Sequence, residues 1–175
     1  VLNLIDLAGT CCAADKNTDG SRFNILSAVI SFSTAVKAEQ NHIETVGIIT
    51  PYAAQVRLIR AMLKDYYTKG TTNVSCATVH QFQGSESDVI VFDAVESYPK
   101  SAVGYLMGKE PNQVARLINV AITRGKGKVI TVANARFWEN VFKGTNHIFY
   151  KLLQHIKNGK HQVIDNHDKT LQPYI

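Results

Sequence analysis

Short apolar runs alternate with segments of helical period, and this alternation most constrains what the chain can fold into. Leu2, Leu4, Ile5 and Leu7 make a first run, and Val46-Gly47-Ile48-Ile49, Val74 to Thr78, Val89-Ile90-Val91-Phe92 and Val129 to Ala133 make the others. Between them, Leu26, Val29, Ile30, Phe32 and Val36 recur at helical spacing over 23–38, with Ser21 as the expected cap. Pro51 suits the first turn of a second helix to about Tyr67, with Val56, Ile59, Leu63 and Tyr66 on one face. Further helices are expected over 112–123, 135–142 and 147–157. Strands alternating with helices predict an α/β fold, a parallel sheet with helices on both faces. Residues 1–157 read as one domain. From Asn158 the chain turns polar, so 158–175 reads as a linker or docked tail.

The net charge of +5 is compatible with an anionic partner. Cys11, Cys12 and Cys76 form no C-x-x-C pair and no zinc spacing, which fits reduced thiols and an intracellular compartment. No apolar run approaches the roughly 20 residues of a membrane span, so no membrane partner is expected. The chain begins with Val1 rather than Met, so it is expected to be part of a longer protein.

The polar chemistry concentrates between Thr78 and Asn134. Thr78 to Asp88 packs Thr, His, Gln, Ser, Glu and Asp around Gly84, just before an apolar strand. Gly84 permits a close backbone approach or a positive φ. Gln83 and Glu86 can bond ribose hydroxyls or a phosphate-bound water, and Thr78 and His80 can donate to a nucleic-acid phosphate. A loop that satisfies its own backbone would look similar. Arg124 stands at a helix C-terminus, the end that favours a cation, and a guanidinium offers forked donors to phosphate oxygens. Taken alone, the position also suits a capping arginine. Arg116, a little over two turns earlier, could reach phosphate too. Thr50-Pro51-Tyr52 with Gln55 begins a helix whose free N–H groups suit an anion. Tyr52 could stack on a base or sit half-buried. Asp93 reads as a cap for the next turn. No G-x-x-x-x-G-K-[ST] occurs, and no strand ends in a paired Asp-Glu for magnesium. The tail from His161 to Asp168 fits no standard metal site. His167-x-Lys169 opens a phospholipase-D-type pattern, but Tyr174 stands where its Asp belongs.

Three blocks in order resemble superfamily 1B helicases of the senataxin and nonsense-mediated-decay group. Ile48-Ile49-Thr50-Pro51-Tyr52-x-x-Gln55 is similar to motif IV, Thr78-Val79-x-x-Phe82-Gln83-Gly84-x-Glu86-x-Asp88 to motif V, and Asn119-Val120-Ala121-Ile122-Thr123-Arg124 to motif VI. The resemblance covers about 21–142. It implies the second RecA-like domain of a two-domain motor, with the P-loop and magnesium ligands on an upstream domain. It further implies that Arg124 is the arginine finger and that Gly84, Glu86, Gln83 and Arg116 are on the side of ATP. Thr50, Pro51, Tyr52, Thr78 and His80 would lie towards single-stranded DNA or RNA, with 5′-to-3′ movement. The family often has Asn-Arg-x-Glu-Ala near the domain's start. Here Asn24-Ile25-Leu26-Ser27-Ala28 lacks both charges, which leaves Arg22 as a possible substitute. Gly125 follows the finger where Ala is common. A non-enzymatic binding module is the alternative. A metal nuclease on Glu86, Asp88 and Asp93 has no ligand spacing behind it.

Overall fold

The structure, a computed structural model, describes residues 1–68, 70–82, 84–99, 104–108, 111–165 and 168. Its strands are β1 (Leu2–Asp6), the short hairpin pair β2 (Asp15–Lys16) and β3 (Arg22–Phe23), β4 (Val46–Thr50), β5 (Val74–Thr78), β6 (Ser87–Asp93), β7 (Gly125–Ala133) and β8 (Val163–Ile164). Among the described residues, six of them form one sheet in the order β5-β4-β6-β7-β1-β8, and every pairing in it is parallel.

A parallel sheet must be covered on both faces, and period-two alternation supplies both sets of side chains. Ile48, Val89, Val91 and Val132 join one core with Ala28, Ile30, Val56, Ile59 and Leu63. Those last five come from α1 (Ile25–Gln40) and α2 (Ala53–Tyr66). Ile49, Ile90, Phe92 and Val129 join the opposite core with Ile118, Ala121, Phe137, Trp138, Phe149 and Leu153. These belong to α3 (Pro111–Thr123), α4 (Ala135–Phe142) and α5 (Ile148–Asn158).

The loop after β5 is pinned by Phe82, which is 4% exposed. Its ring fills the space above Gly47, where a Cβ would come within 2.5 Å of Phe82 and 2.8 Å of Ile90. Only glycine at 47 admits that ring, so one residue of β4 sets where Phe82 docks.

Several boundaries differ from expectation for local reasons. Asn24, not Ser21, caps α1, accepting from Ser27 N at 3.1 Å. Ser21 Oγ instead accepts from Ala54 N at 3.0 Å, capping α2 from across the fold. This substitutes for the missing side-chain cap at Tyr52. Within the polar segment after 158, expected as a linker or docked tail, Val163 and Ile164 pair with Leu4 and Ile5 as an edge strand. Gln162 assists, its carbonyl accepting from Leu4 N and its side chain from Asn3.

Candidate functional site

The two motif-bearing stretches meet at the amino edge of the sheet. Ser87 is in register with Gly125, and Ser87 N donates to Arg124 O at 2.9 Å. Glu86 and Arg124 therefore flank one hydrogen bond between β6 and the end of α3. Glu86 is ion-paired with Lys126 at 4.0 Å, both side chains more than half exposed. Arg124 Nε is buried and, among the described residues, has no acceptor. Gly84 takes φ +87° with open space where a Cβ would stand. The glycine is needed there for conformation and not for packing. Gln83 lies outside the described residues. Asp88 is spent on the fold: its carboxylate accepts from the Thr45 hydroxyl at 2.7 Å and the Thr45 N–H at 3.1 Å. The hydroxyl bond is the main cause of its lowered pKa.

Open parallel sheets ordinarily bind ligands beyond their carboxyl ends. Glu86 and Arg124 lie beyond the amino ends of β6 and β7, because the segment from Thr78 to Ser87 carries the chain from one edge to the other. The same geometry sets Arg116, grouped with the ATP side in the expectation, apart from Arg124. Eight residues of α3 separate it from Arg124, about 12 Å of helix. Arg116 lines a cavity of about 390 Å³ with Val79, His80, Tyr105 and Gln113 instead.

At the carboxyl edge, Thr50, Pro51 and Tyr52 are buried, Tyr52 to 3% exposure. The face expected to stack on a base is covered, because the tyrosine hydroxyl donates to buried Glu96 and accepts from Tyr105 N at 2.8 Å. Thr78 is half-buried and His80 exposed, so these two offer atoms to solvent. Gln55 is fully buried and organises a closed network. Its Oε1 accepts from Asn24 N at 2.8 Å, and its Nε2 donates to Asp93 at 2.7 Å, Ser27 at 3.0 Å and Asn24 O at 3.1 Å. Asp93 also accepts from Val95 N at 3.0 Å, the expected cap of its own turn. Burial raises its carboxyl to about 6, and burial likewise raises Glu96 to about 7.

Arg22 does not replace the missing arginine at position 25. It is 4% exposed and ion-paired with Glu96 at 3.9 Å, whereas Ile25 itself is 61% exposed. A nuclease triad is also excluded by placement. Asp88 and Asp93 sit near opposite ends of β6, about 16 Å apart at strand rise, and the described residues hold no metal-ligating cluster.

Sequence reasoning passed over Asn24, Glu96 and Asp6. An Asn directly before a helical apolar run is a recognisable cap signal. Asp6 accepts from Ala8 N at 3.0 Å, Ala135 N at 2.9 Å and Lys157 Nζ at 3.2 Å, tying β1 to α4 and α5. No sequence spacing announces that tie. Among the described residues no helix is long and apolar enough to cross a membrane.

Comparison with known proteins follows the same outline. A family described as an AAA domain (AAA_12) matches residues 4–136. Helicase sen1 of Schizosaccharomyces pombe is 36% identical over 90 residues, 51% of this chain and 5% of that protein. The regulator of nonsense transcripts 1 homolog of Drosophila melanogaster is 35% identical over 100 residues, 53% of this chain and 8% of that protein. The ATP-dependent helicase NAM7 of Saccharomyces cerevisiae is 33% identical over 112 residues, 60% of this chain and 10% of that protein. The aligned part of the chain thus spans a tenth or less of each of these relatives. The chain belongs to this AAA domain family and is a superfamily 1B helicase domain of the senataxin and nonsense-mediated-decay group.

Proposed function

We propose that this domain is the C-terminal motor half of an ATP-dependent, 5′-to-3′ DNA or RNA helicase, inactive alone. It supplies the arginine finger to ATP and part of the single-strand track. The observation that supports this reading is the Ser87 N–Arg124 O bond at the β6–α3 junction, which sets Glu86 and Arg124 at one edge, with a buried guanidinium donor that among the described residues has no acceptor. An orphaned donor in a basic corner fits an anionic phosphate. Gly84, Glu86 and Arg124, together with Gln83, would hold the nucleotide's phosphates and ribose at the amino edge. ATP with magnesium would supply the cleavable phosphoanhydride, its metal ligands standing on an upstream RecA-like domain of the same protein.

Within this chain the work is positional. The Ser87–Arg124 bond sets the backbone from which the guanidinium projects. Placed across a cleft, such a group stabilises charge on a transferring phosphoryl, worth about 10³–10⁵ in rate in GTPases. Thr78 and His80, at the carboxyl edge of β5, would touch the strand directly. Thr50, Pro51 and Tyr52, being buried, would shape the track from beneath. The test is ATP hydrolysis by the intact protein and by the 175-residue chain alone, each with and without single-stranded nucleic acid. Stimulated turnover in the intact protein and none in the lone chain is expected. Turnover by the lone chain, or an intact protein without it, would overturn the reading.

A further inference from the structure

The cavity of about 390 Å³ at the carboxyl end of β5 has a floor of Val79, Leu117 and Val120 and a rim of His80, Arg116 and Tyr105. Tyr105 is 65% exposed. Two other exposed tyrosines are engaged locally: Tyr66 packs edge-on against Phe32 and Tyr67, and Tyr98 against Phe137. Tyr105 leans on Tyr52 alone among the described rings, with centroids 5.2 Å apart, and leaves most of its surface to solvent.

Its backbone is nevertheless firmly held. Tyr105 N donates to the Tyr52 hydroxyl at 2.8 Å, and Leu106 N donates to Glu96 at 3.2 Å. Gly104 presses so closely on Glu96 and the Tyr52 hydroxyl that no Cβ fits there. An aromatic presented on a rigid segment loses little entropy when a ligand stacks on it. The neighbouring groups suit an anion: Arg116 is an exposed cation and His80 an exposed donor. An aromatic face beside a forked cation is suited to a base with its attached phosphate.

We infer that Tyr105 and Arg116 form a one-nucleotide subsite for single-stranded nucleic acid, Tyr105 stacking on a base and Arg116 holding the adjoining phosphate. This rests on the strand-binding reading above and moves Arg116 from the ATP side to the strand side. Stacking accepts every base, so the subsite adds affinity without sequence preference.

The experiment is fluorescence anisotropy on the intact protein with labelled dT12, U12 and an abasic 12-mer, without added nucleotide. Tyr105→Ala is expected to weaken dT12 or U12 roughly five- to a hundredfold and to leave the abasic strand within about twofold, while Tyr105→Phe binds like the parent. The DNA and RNA arms show which sugar the subsite accepts. Arg116→Ala, which removes no packed ring, is expected to weaken all strands that bind and to reduce the salt slope by about one. Unchanged binding of dT12 and U12 by Tyr105→Ala, an equal loss on the abasic strand, or an unchanged salt slope in Arg116→Ala would overturn the subsite while sparing the strand reading. A parent protein that binds no strand would overturn both.

Discussion

The two edges of the sheet use polar residues in opposite ways. At the carboxyl edge, Gln55, Asn24, Ser27 and Asp93 satisfy one another, and Glu96 Oε1 accepts from Tyr52 and Leu106 while its Oε2, with no hydrogen bond among the described residues, is compensated by the Arg22 charge at 3.9 Å. At the amino edge, Glu86 and Lys126 face solvent, and Arg124 has a buried donor with no acceptor among the described residues. Buried polar groups that are mutually bonded hold a fold together. A cation left without an acceptor is available to a ligand. Of two residues in the matched blocks, Gln55 is bonded on every side as a strut, whereas Arg124 has a buried donor with no acceptor among the described residues, which is what the proposed finger requires.

The contrast is sharpened most by Arg22→Ala. It strips Glu96 of a buried cation and should cost about 3–5 kcal/mol in urea unfolding. Next comes pH. Burial lifts Glu96 from 4.5 to about 7 and Asp93 from 3.8 to about 6. Raised carboxyls bind protons more tightly in the folded state, so their stabilisation is full below the ordinary values of 3.8 and 4.5 and is lost progressively as pH rises from there through the folded values of about 6 and 7. Unfolding free energy should fall over that window, each tenfold gain in proton affinity on folding being worth roughly 1.4 kcal/mol. Glu96→Gln should flatten its upper part. Gln55→Ala, which removes the Gln55 bonds to Asp93 Oδ2 and Asn24 N, should cost about 1–3 kcal/mol. Lys126→Ala, breaking an exposed pair at the amino edge, should move stability by less than about 1 kcal/mol. A large loss there would erase the distinction between the edges.

The strands and helices were legible because β4, β6 and β7 carry apolar runs and α1 to α3 carry helical spacing. That Glu86 and Arg124 stand just before β6 and β7 was legible from the apolar runs that follow them. Three features were not. Val163–Ile164 is too short to show a period, and becomes a strand only because β1 leaves an open edge. Ser21 sits just before one helix and caps another, which depends on tertiary approach. The edge on which a motif falls depends on strand direction, so Arg116 in α3 and Arg124 just after it lie towards opposite edges. The rise of an α-helix already separates them by about 12 Å.

The most direct measurement is nucleic-acid-stimulated ATP hydrolysis by the intact protein and its Arg124→Ala variant, with strand affinity and melting temperature measured on both. A rate lowered by about 10³ or more, with strand binding and melting temperature retained, is the expected result. An unchanged rate, or a melting temperature lowered as far as that of Gln55→Ala, would contradict a free guanidinium at the amino edge and return Arg124 to a structural role.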